Sequence, residues 1–295
     1  HSHTHSFPTR RSSDLIARDI ETVRKTVRQY HEKNESIAIV TTMGNLHTGH
    51  ITLVKEAEKL ADHTVATVFV NPLQFNNKND LKTYPRTPEA DLKKLEDAGV
   101  DMVFMPTPEI MYPEGMDVQT TVNVPHLSEI LEGAMRPGHF RGVATVVLKL
   151  FNIVTPDYCM FGQKDYQQVA LLKKMIRDLS VPVEMHVVPT VRMESGLAFS
   201  SRNGLLTEDE LKIAPHLYET ISSMKKEIEG GRRDFAELIK EGTAKLNSFG
   251  FKTDAIDIVN ADTLEGPDDS TKKLVILAEA YLGKPRLIDN IEVNI

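Results

Sequence analysis

Two histidines three residues apart, His47 and His50, end the run Thr41-Thr42-Met43-Gly44-Asn45-Leu46-His47-Thr48-Gly49-His50. An apolar, β-branched run (Ile37-Ala38-Ile39-Val40) precedes it and an amphipathic helix pattern follows. The spacing therefore predicts a glycine-bearing turn between a strand and a helix. Ligands of open α/β sheets bind at that edge, and the first N–H groups of a helix are unpaired and favour anions. A His-x-Gly-His turn in this place suits the handling of nucleotide phosphates, with imidazoles donating to oxygens as charge builds on them. Taken singly, a histidine near a helix start serves equally well as a cap or a packing residue.

Three more stretches carry chemistry. Gln74, in Phe69-Val70-Asn71-Pro72-Leu73-Gln74-Phe75, brings both donors and acceptors to the end of a second strand pattern, where it suits a small polar acid. Phe161-Gly162-Gln163-Lys164-Asp165-Tyr166-Gln167-Gln168 is another strand, glycine turn and helix start. There Lys164 suits phosphate charge and Asp165 a ribose hydroxyl or Mg²⁺, with Gln168 one helical turn on. Ser200-Ser201-Arg202-Asn203 offers two hydroxyls and a guanidinium fit for bidentate phosphate contacts. In isolation each has a bland counterpart: a surface glutamine, a solvated Lys-Asp pair, a turn into a helix.

These stretches need a scaffold, and the hydrophobic periodicity supplies one. Ile16, Ile20, Val23, Val27 and Tyr30 recur at helical spacing; Ile37 to Val40 reads as a strand; Leu53, Val54, Ala57 and Leu60 give the next helix a buried face. Thr64 to Val70 is a strand stopped by Pro72, Gln74 to Arg86 a long polar loop, Leu92, Leu95 and Ala98 a helix, and Val100 to Met105 a third strand. The alternation recurs with a helix on Val143, Val146, Val147, Leu150 and Val154, a strand from Tyr158 to Phe161, a helix from Val169 to Leu179, and a strand from Val183 to Val188. Such an order predicts an α/β, doubly wound parallel sheet, a Rossmann-like domain over 16–190. Beyond Pro189 come two charged helices, the first opened by a Thr207/Glu210 capping box, then strands at Ala255–Val259, Leu274–Tyr281 and Leu287–Val293. They predict a smaller α+β domain over 191–295.

A chain of 295 residues accommodates two domains. Its net charge of −7 argues against a nucleic-acid partner, while a local cationic cluster still suits a small anion. The one cysteine, Cys159, precludes an intramolecular disulfide, fits a reducing compartment, and in its apolar run reads as a buried thiol. No apolar stretch approaches the length of a membrane span. Residues 1–15 mix His, Ser, Thr and Arg without periodicity and read as a non-native or disordered leader, with His1, His3 and His5 as an incidental alternation.

Together the four motifs closely resemble the pantothenate synthetase (pantoate–β-alanine ligase) family of the nucleotidyltransferase-like superfamily. The likeness runs from Ile16 to the end and includes Asp80-Leu81-Lys82-Thr83-Tyr84-Pro85-Arg86-Thr87, Arg136-Pro137-Gly138-His139-Phe140-Arg141-Gly142-Val143 and Arg286-Leu287-Ile288-Asp289-Asn290. The histidine turn alone leaves open other adenylyltransferases, such as one acting on a pantetheine phosphate, class I tRNA synthetases, and a catalytically silent nucleotide binder. The ordered set of motifs is more specific.

The resemblance implies ATP, Mg²⁺, (R)-pantoate and β-alanine as ligands of a cytoplasmic homodimer without nucleic-acid or membrane partners. It implies that Met43, Gly44, Asn45, Leu46, His47, Thr48, Gly49, His50, Gly162, Gln163, Lys164, Asp165, Val191, Phe199, Ser200, Ser201 and Arg202 surround ATP. By the same likeness Gln74 and Gln168 hold pantoate, with Gln74 also near β-alanine. His50 is the family's proton donor, His47, Lys164 and Arg202 complete the expected catalytic group, and Asp165 is the expected metal contact. Two positions depart from the family pattern: Thr41 stands where proline is usual, which frees φ, and Gln163 where glutamate is frequent.

Overall fold

The computed structural model describes residues 15–295, so the leader's three alternating histidines lie outside the described residues. In chain order come β1 (Ile16–Ala17), α1 (Ile20–Glu32), β2 (Ile37–Thr42), α2 (Thr48–Leu60), β3 (His63–Val68), α3 (Lys78–Thr83), α4 (Pro88–Asp97) and β4 (Met102–Phe104). They are followed by α5 (Pro108–Met111), α6 (Glu132–Met135), α7 (His139–Val154), β5 (Tyr158–Gly162), α8 (Tyr166–Asp178) and β6 (Glu184–Val188).

The six strands form one parallel sheet in the order β1-β4-β3-β2-β5-β6, the doubly wound arrangement that the periodicity predicts. β2 is fully apolar over Ile37 to Val40 because both of its faces are covered. Ile37 and Ile39 pack toward α1, α7 and α8, whereas Ala38 and Val40 pack toward α2 and α4. The strand order runs outward in both directions from the β2–β5 pair, so this pair is the topological switch point, where a crevice opens beyond the strand ends. The turns after β2 and β5, which carry His47/His50 and Lys164, therefore come to lie side by side.

Several sequence expectations are corrected. Ile16 pairs with Val103 as an edge strand and does not belong to α1, whose N-cap is Asp19, accepting from the Thr22 N–H. Leu15, grouped with the leader, is buried, and its carbonyl accepts from Val103. Leu60 and Leu179 fall at helix ends where the buried face has rotated to solvent, and are 38% and 53% exposed. The stretch from Gln74 to Arg86 is not a plain loop, because it contains α3, capped by Asn77.

Past β6 lie three helices where the sequence suggests two: α9 (Glu208–Ile213), α10 (His216–Glu229) and α11 (Phe235–Ser248). The Thr207/Glu210 capping box opens α9 as expected, and Pro215 separates α9 from α10. The strands β7 (Lys252–Asn260), β8 (Lys273–Tyr281) and β9 (Arg286–Asn294) form an antiparallel sheet in that order. Side chains of β8 alternate. Leu274, Ile276, Ala278 and Ala280 join the core under α10 and α11, while Val275 and Leu277 join the core of the parallel sheet. The central strand β8 is thus buried on both faces, and the crevice at the switch point is walled on one side by Tyr281, Pro285 and Arg286 of the small sheet.

Candidate active site

The turn after β2 is strapped from below by one buried carboxylate. Asp91 accepts from the N–H groups of Asn45 (3.0 Å) and Leu46 (2.9 Å) and from Thr87 Oγ1 (3.1 Å), and Lys94 Nζ donates to Leu46 O at 2.8 Å. Gly44 adopts φ +81°, which favours glycine, and a Cβ there would crowd Asp91 Oδ2 at 3.0 Å.

The two histidines then open α2 as a reciprocal cap. His47 Nδ1 accepts from Gly49 N at 3.0 Å, and His50 Nδ1 accepts from His47 N at 3.1 Å. A nitrogen that accepts from a backbone N–H carries no proton, so in both neutral rings the proton sits on Nε2. Desolvation first, then the neighbouring His50 ring and the Lys164 cation, hold His47 at about 3, and desolvation with Lys164 and Lys94 holds His50 at about 4. The rings lie 4.0 Å apart, with Phe199 6.5 Å from His47. They are a pair of neutral N–H donors at a helix N-terminus.

The turn after β5 is fixed from the small sheet. Asn290 Nδ2 donates to Gln163 O (3.0 Å) and Lys164 O (2.9 Å), and Gln163 N donates to Val188 O at 2.9 Å. Above the first turn, Ser201 Oγ donates to Asn45 O at 3.1 Å, Ser200 Oγ accepts from Arg202 N at 3.2 Å, and Arg202 Nη1 donates to Arg286 O at 2.8 Å. All four motifs meet in one cavity of about 830 Å³. Its walls include Met43, Gly44, His47, Gly49, His50, Gln74, Gly162, Lys164, Asp165, Gln168, Val191, Phe199, Ser200, Ser201 and Arg202.

Four of the sequence-selected residues do not line this cavity. Leu46 is buried in the core, Thr48 is exposed on α2, and Asn45 and Gln163 contribute backbone contacts to the turns. Conversely, Thr41, Asn71, Tyr84, Arg136, His139 and Arg286 line it without a role assigned from sequence. Arg136 and His139 lie in the quoted 136–143 run and Arg286 opens the closing one, but nothing local says that Arg136, Arg202 and Arg286 converge.

His139 Nδ1 meets Gln74 O at 3.0 Å and its Nε2 meets Arg136 Nη1 at 3.4 Å. Because arginine only donates, Nε2 accepts and Nδ1–H donates to Gln74. Burial and the Arg136 cation push this ring down to about 4. Among the described residues no group of three or more His, Cys, Asp or Glu side chains is placed to hold a metal, and no helix is long and apolar enough to cross a membrane. Cys159 is buried within β5, its thiol pushed up to about 12 by burial, and it is not in the cavity wall.

Comparisons with known proteins bear on the family. The family model for pantoate-beta-alanine ligase matches residues 15–292. A pantothenate synthetase of Aeromonas hydrophila is 55% identical over 276 residues, covering 94% of this chain and 97% of that protein. The crystal structure of pantothenate synthetase from Thermus thermophilus superposes with a TM-score of 0.88 at 41% identity, covering 95% of this chain and all of that one. A Francisella tularensis pantoate-beta-alanine ligase, complexed with beta-gamma ATP and beta-alanine, gives 0.78 at 38% identity over 94% and 97% of the two chains. With the family's model matched over nearly the whole chain and the four motifs gathered at one switch point, the chain belongs to the pantoate–β-alanine ligase family.

Proposed function

We propose that this cavity condenses (R)-pantoate with β-alanine at the expense of ATP, through a pantoyl-adenylate. A carboxylate does not react with an amine near neutral pH because no adequate leaving group is present. Attack of the pantoate carboxylate on the α-phosphorus forms a new P–O bond and breaks the bond to pyrophosphate. The β-alanine amine then attacks the acyl carbon, AMP leaves with the acyl–oxygen bond pair, and the amine's surplus proton passes to solvent.

The observation that carries this reading is the pair of neutral Nε2–H donors, His47 and His50, beside Lys164 at the switch point. Donors already oriented toward an anion stabilise charge as it develops on phosphate oxygens without reorganising. His50, the family's proton donor, acts here through Nε2–H. Ser200, Ser201 and Arg202, held above the histidine turn, close over the same phosphates, while Val191 and Phe199 flank the nucleotide. Gln74 and Gln168 take the acid, whose dimethyl carbon suits the apolar floor of Phe69, Val143 and Val147. No protein nucleophile is required, so catalysis rests on positioning and charge.

Mg²⁺ fits as a companion of the triphosphate. Such ions are commonly held by one or two carboxylates together with substrate phosphates, and Asp165, whose side chain caps no helix N–H and which follows Lys164, is with Asp80 one of the two carboxylates in the cavity wall. Bound there, the ion would neutralise phosphate charge.

The family likeness also supports a cytoplasmic homodimer, and the change from a parallel to an antiparallel sheet after β6 supports domains at 16–190 and 191–295. The test of the reaction is product identity by ³¹P NMR with all three substrates. AMP and pyrophosphate are expected; ADP and inorganic phosphate would contradict the adenylate route.

A further inference from the structure

Gln74 reaches the cavity from a short 3-10 turn (Pro72–Gln74), and its amide is held by a buried relay. Asn71 Nδ2 donates to Gln74 Oε1 at 3.0 Å and to Gly142 O at 3.1 Å, while Asn71 Oδ1 accepts from Leu73 N at 3.3 Å and from Tyr112 Oη at 2.6 Å. Amide orientation is often ambiguous, but here two backbone groups decide it. The Leu73 N–H only donates, so the Asn71 atom it meets is oxygen. The Gly142 carbonyl only accepts, so the other atom is nitrogen. One hydrogen of that nitrogen serves Gly142 and the second serves Gln74, which must therefore present Oε1. Both Nε2 hydrogens of Gln74 are left for the cavity, with no acceptor for them among the described residues.

The relay is saturated and rigid. Asn71 is 1% exposed and uses both donors and both lone pairs. The turn cannot shift toward α7, because even a Cβ at Gly142 would come within 2.6 Å of Gln74 Cα. On the other side, His139 Nδ1–H grips the Gln74 carbonyl. Tyr112, at the end of α5, packs its ring against Phe69 at 6.2 Å, and its hydroxyl's only role in this network is to donate to Asn71.

We propose that Tyr112 is a positioning residue: through Asn71 its hydroxyl fixes the Gln74 amide with its NH₂ toward the acid substrate. This wall of the subsite then reads a hydrogen-bond acceptor and rejects a donor. The proposal rests on the ligase reading given above.

The test measures steady-state, pantoate-dependent pyrophosphate release from ATP at saturating β-alanine in the wild type, Tyr112→Phe, Gln74→Ala, the double variant and Gln74→Glu. Tyr112→Phe keeps the ring and removes one donor. It is expected to lower kcat/KM for pantoate about tenfold while the KM for ATP stays within twofold. In the Gln74→Ala background the same change is expected to cost less than twofold, because no amide remains to be oriented. Gln74→Glu, which turns donor into acceptor, is expected to fall below Gln74→Ala. A tenfold loss that recurs in the Gln74→Ala background, an equal rise in the KM for ATP, or a Gln74→Glu enzyme better than Gln74→Ala would overturn the proposal. A wild type that releases no pantoate-dependent pyrophosphate would instead overturn the ligase reading.

Discussion

The main-chain N–H of His47 donates to Nδ1 of His50 at 3.1 Å, which fixes the proton of the neutral His50 ring on Nε2. The atom presented to the phosphates is therefore known, and the choice of replacement side chains follows from it. Glutamine places an amide nitrogen near the position of Nε2, whereas asparagine places one near Nδ1. His50→Gln is expected to retain at least tenfold more turnover than His50→Asn, and His50→Ala to lose two orders of magnitude or more with the fold intact. Steady-state kinetics with circular dichroism as the control checks this; equal activity in the Gln and Asn variants would contradict the assignment.

Burial of neutral imidazoles makes stability depend on pH with a definite sign. His47, held at about 3, and His50 and His139, at about 4, resist protonation in the folded state, whereas the unfolded chain takes up protons below the ordinary value of 6.5. The unfolded state binds more protons between pH 6.5 and 4, so stability falls as pH drops through that window. The slope is about 1.4 kcal/mol per pH unit for each net proton. Glu279 opposes this, since burial pushes it up to about 7 despite the Arg286 cation. Three groups outweigh one. Urea midpoints in the ligand-free protein should be lower at pH 5 than at pH 7, with Glu279→Gln steepening the drop. A midpoint that rises toward pH 5 would contradict it.

Asn290 acts on the ATP wall from the far sheet, donating both amide hydrogens to the carbonyls of Gln163 and Lys164. Asn290→Ala is expected to lower kcat at least tenfold by loosening the Lys164 turn, and Lys164→Ala by two orders of magnitude or more. Unchanged kcat in Asn290→Ala would show that the turn holds itself.

Asp289, 4% exposed, accepts from Arg192 Nη1 at 2.6 Å and Nη2 at 2.9 Å, and the guanidinium stacks 3.6 Å from the Tyr218 ring centroid. Removing one partner of a buried bidentate pair leaves an uncompensated charge. Asp289→Ala should therefore destabilise the protein by about 3–5 kcal/mol, read as a lower Tm; a loss below about 1 kcal/mol would contradict that.

Sequence is most legible where structure is local. The strand–turn–helix pattern around His47 and around Lys164 can be read because glycine, an apolar run and a helical period lie close together in the chain. Ile16 misleads for the same reason: its spacing to Ile20 is helical, but its partner Val103 is far along the chain. The long-range contacts are illegible. Tyr112 reaches Asn71 across 41 positions and Asn290 reaches Lys164 across 126, so no spacing betrays either. Arg136 and Arg286 are visible as residues of quoted runs, and only folding brings them to the cavity.

The most direct test of the two-step reading is rapid-quench measurement of pyrophosphate formed from ATP, Mg²⁺ and pantoate in the absence of β-alanine. A burst approaching one equivalent per site, dependent on pantoate and followed by steady AMP formation once β-alanine is added, is the predicted result. Pyrophosphate release that requires β-alanine from the outset would contradict an adenylate formed before the amine arrives.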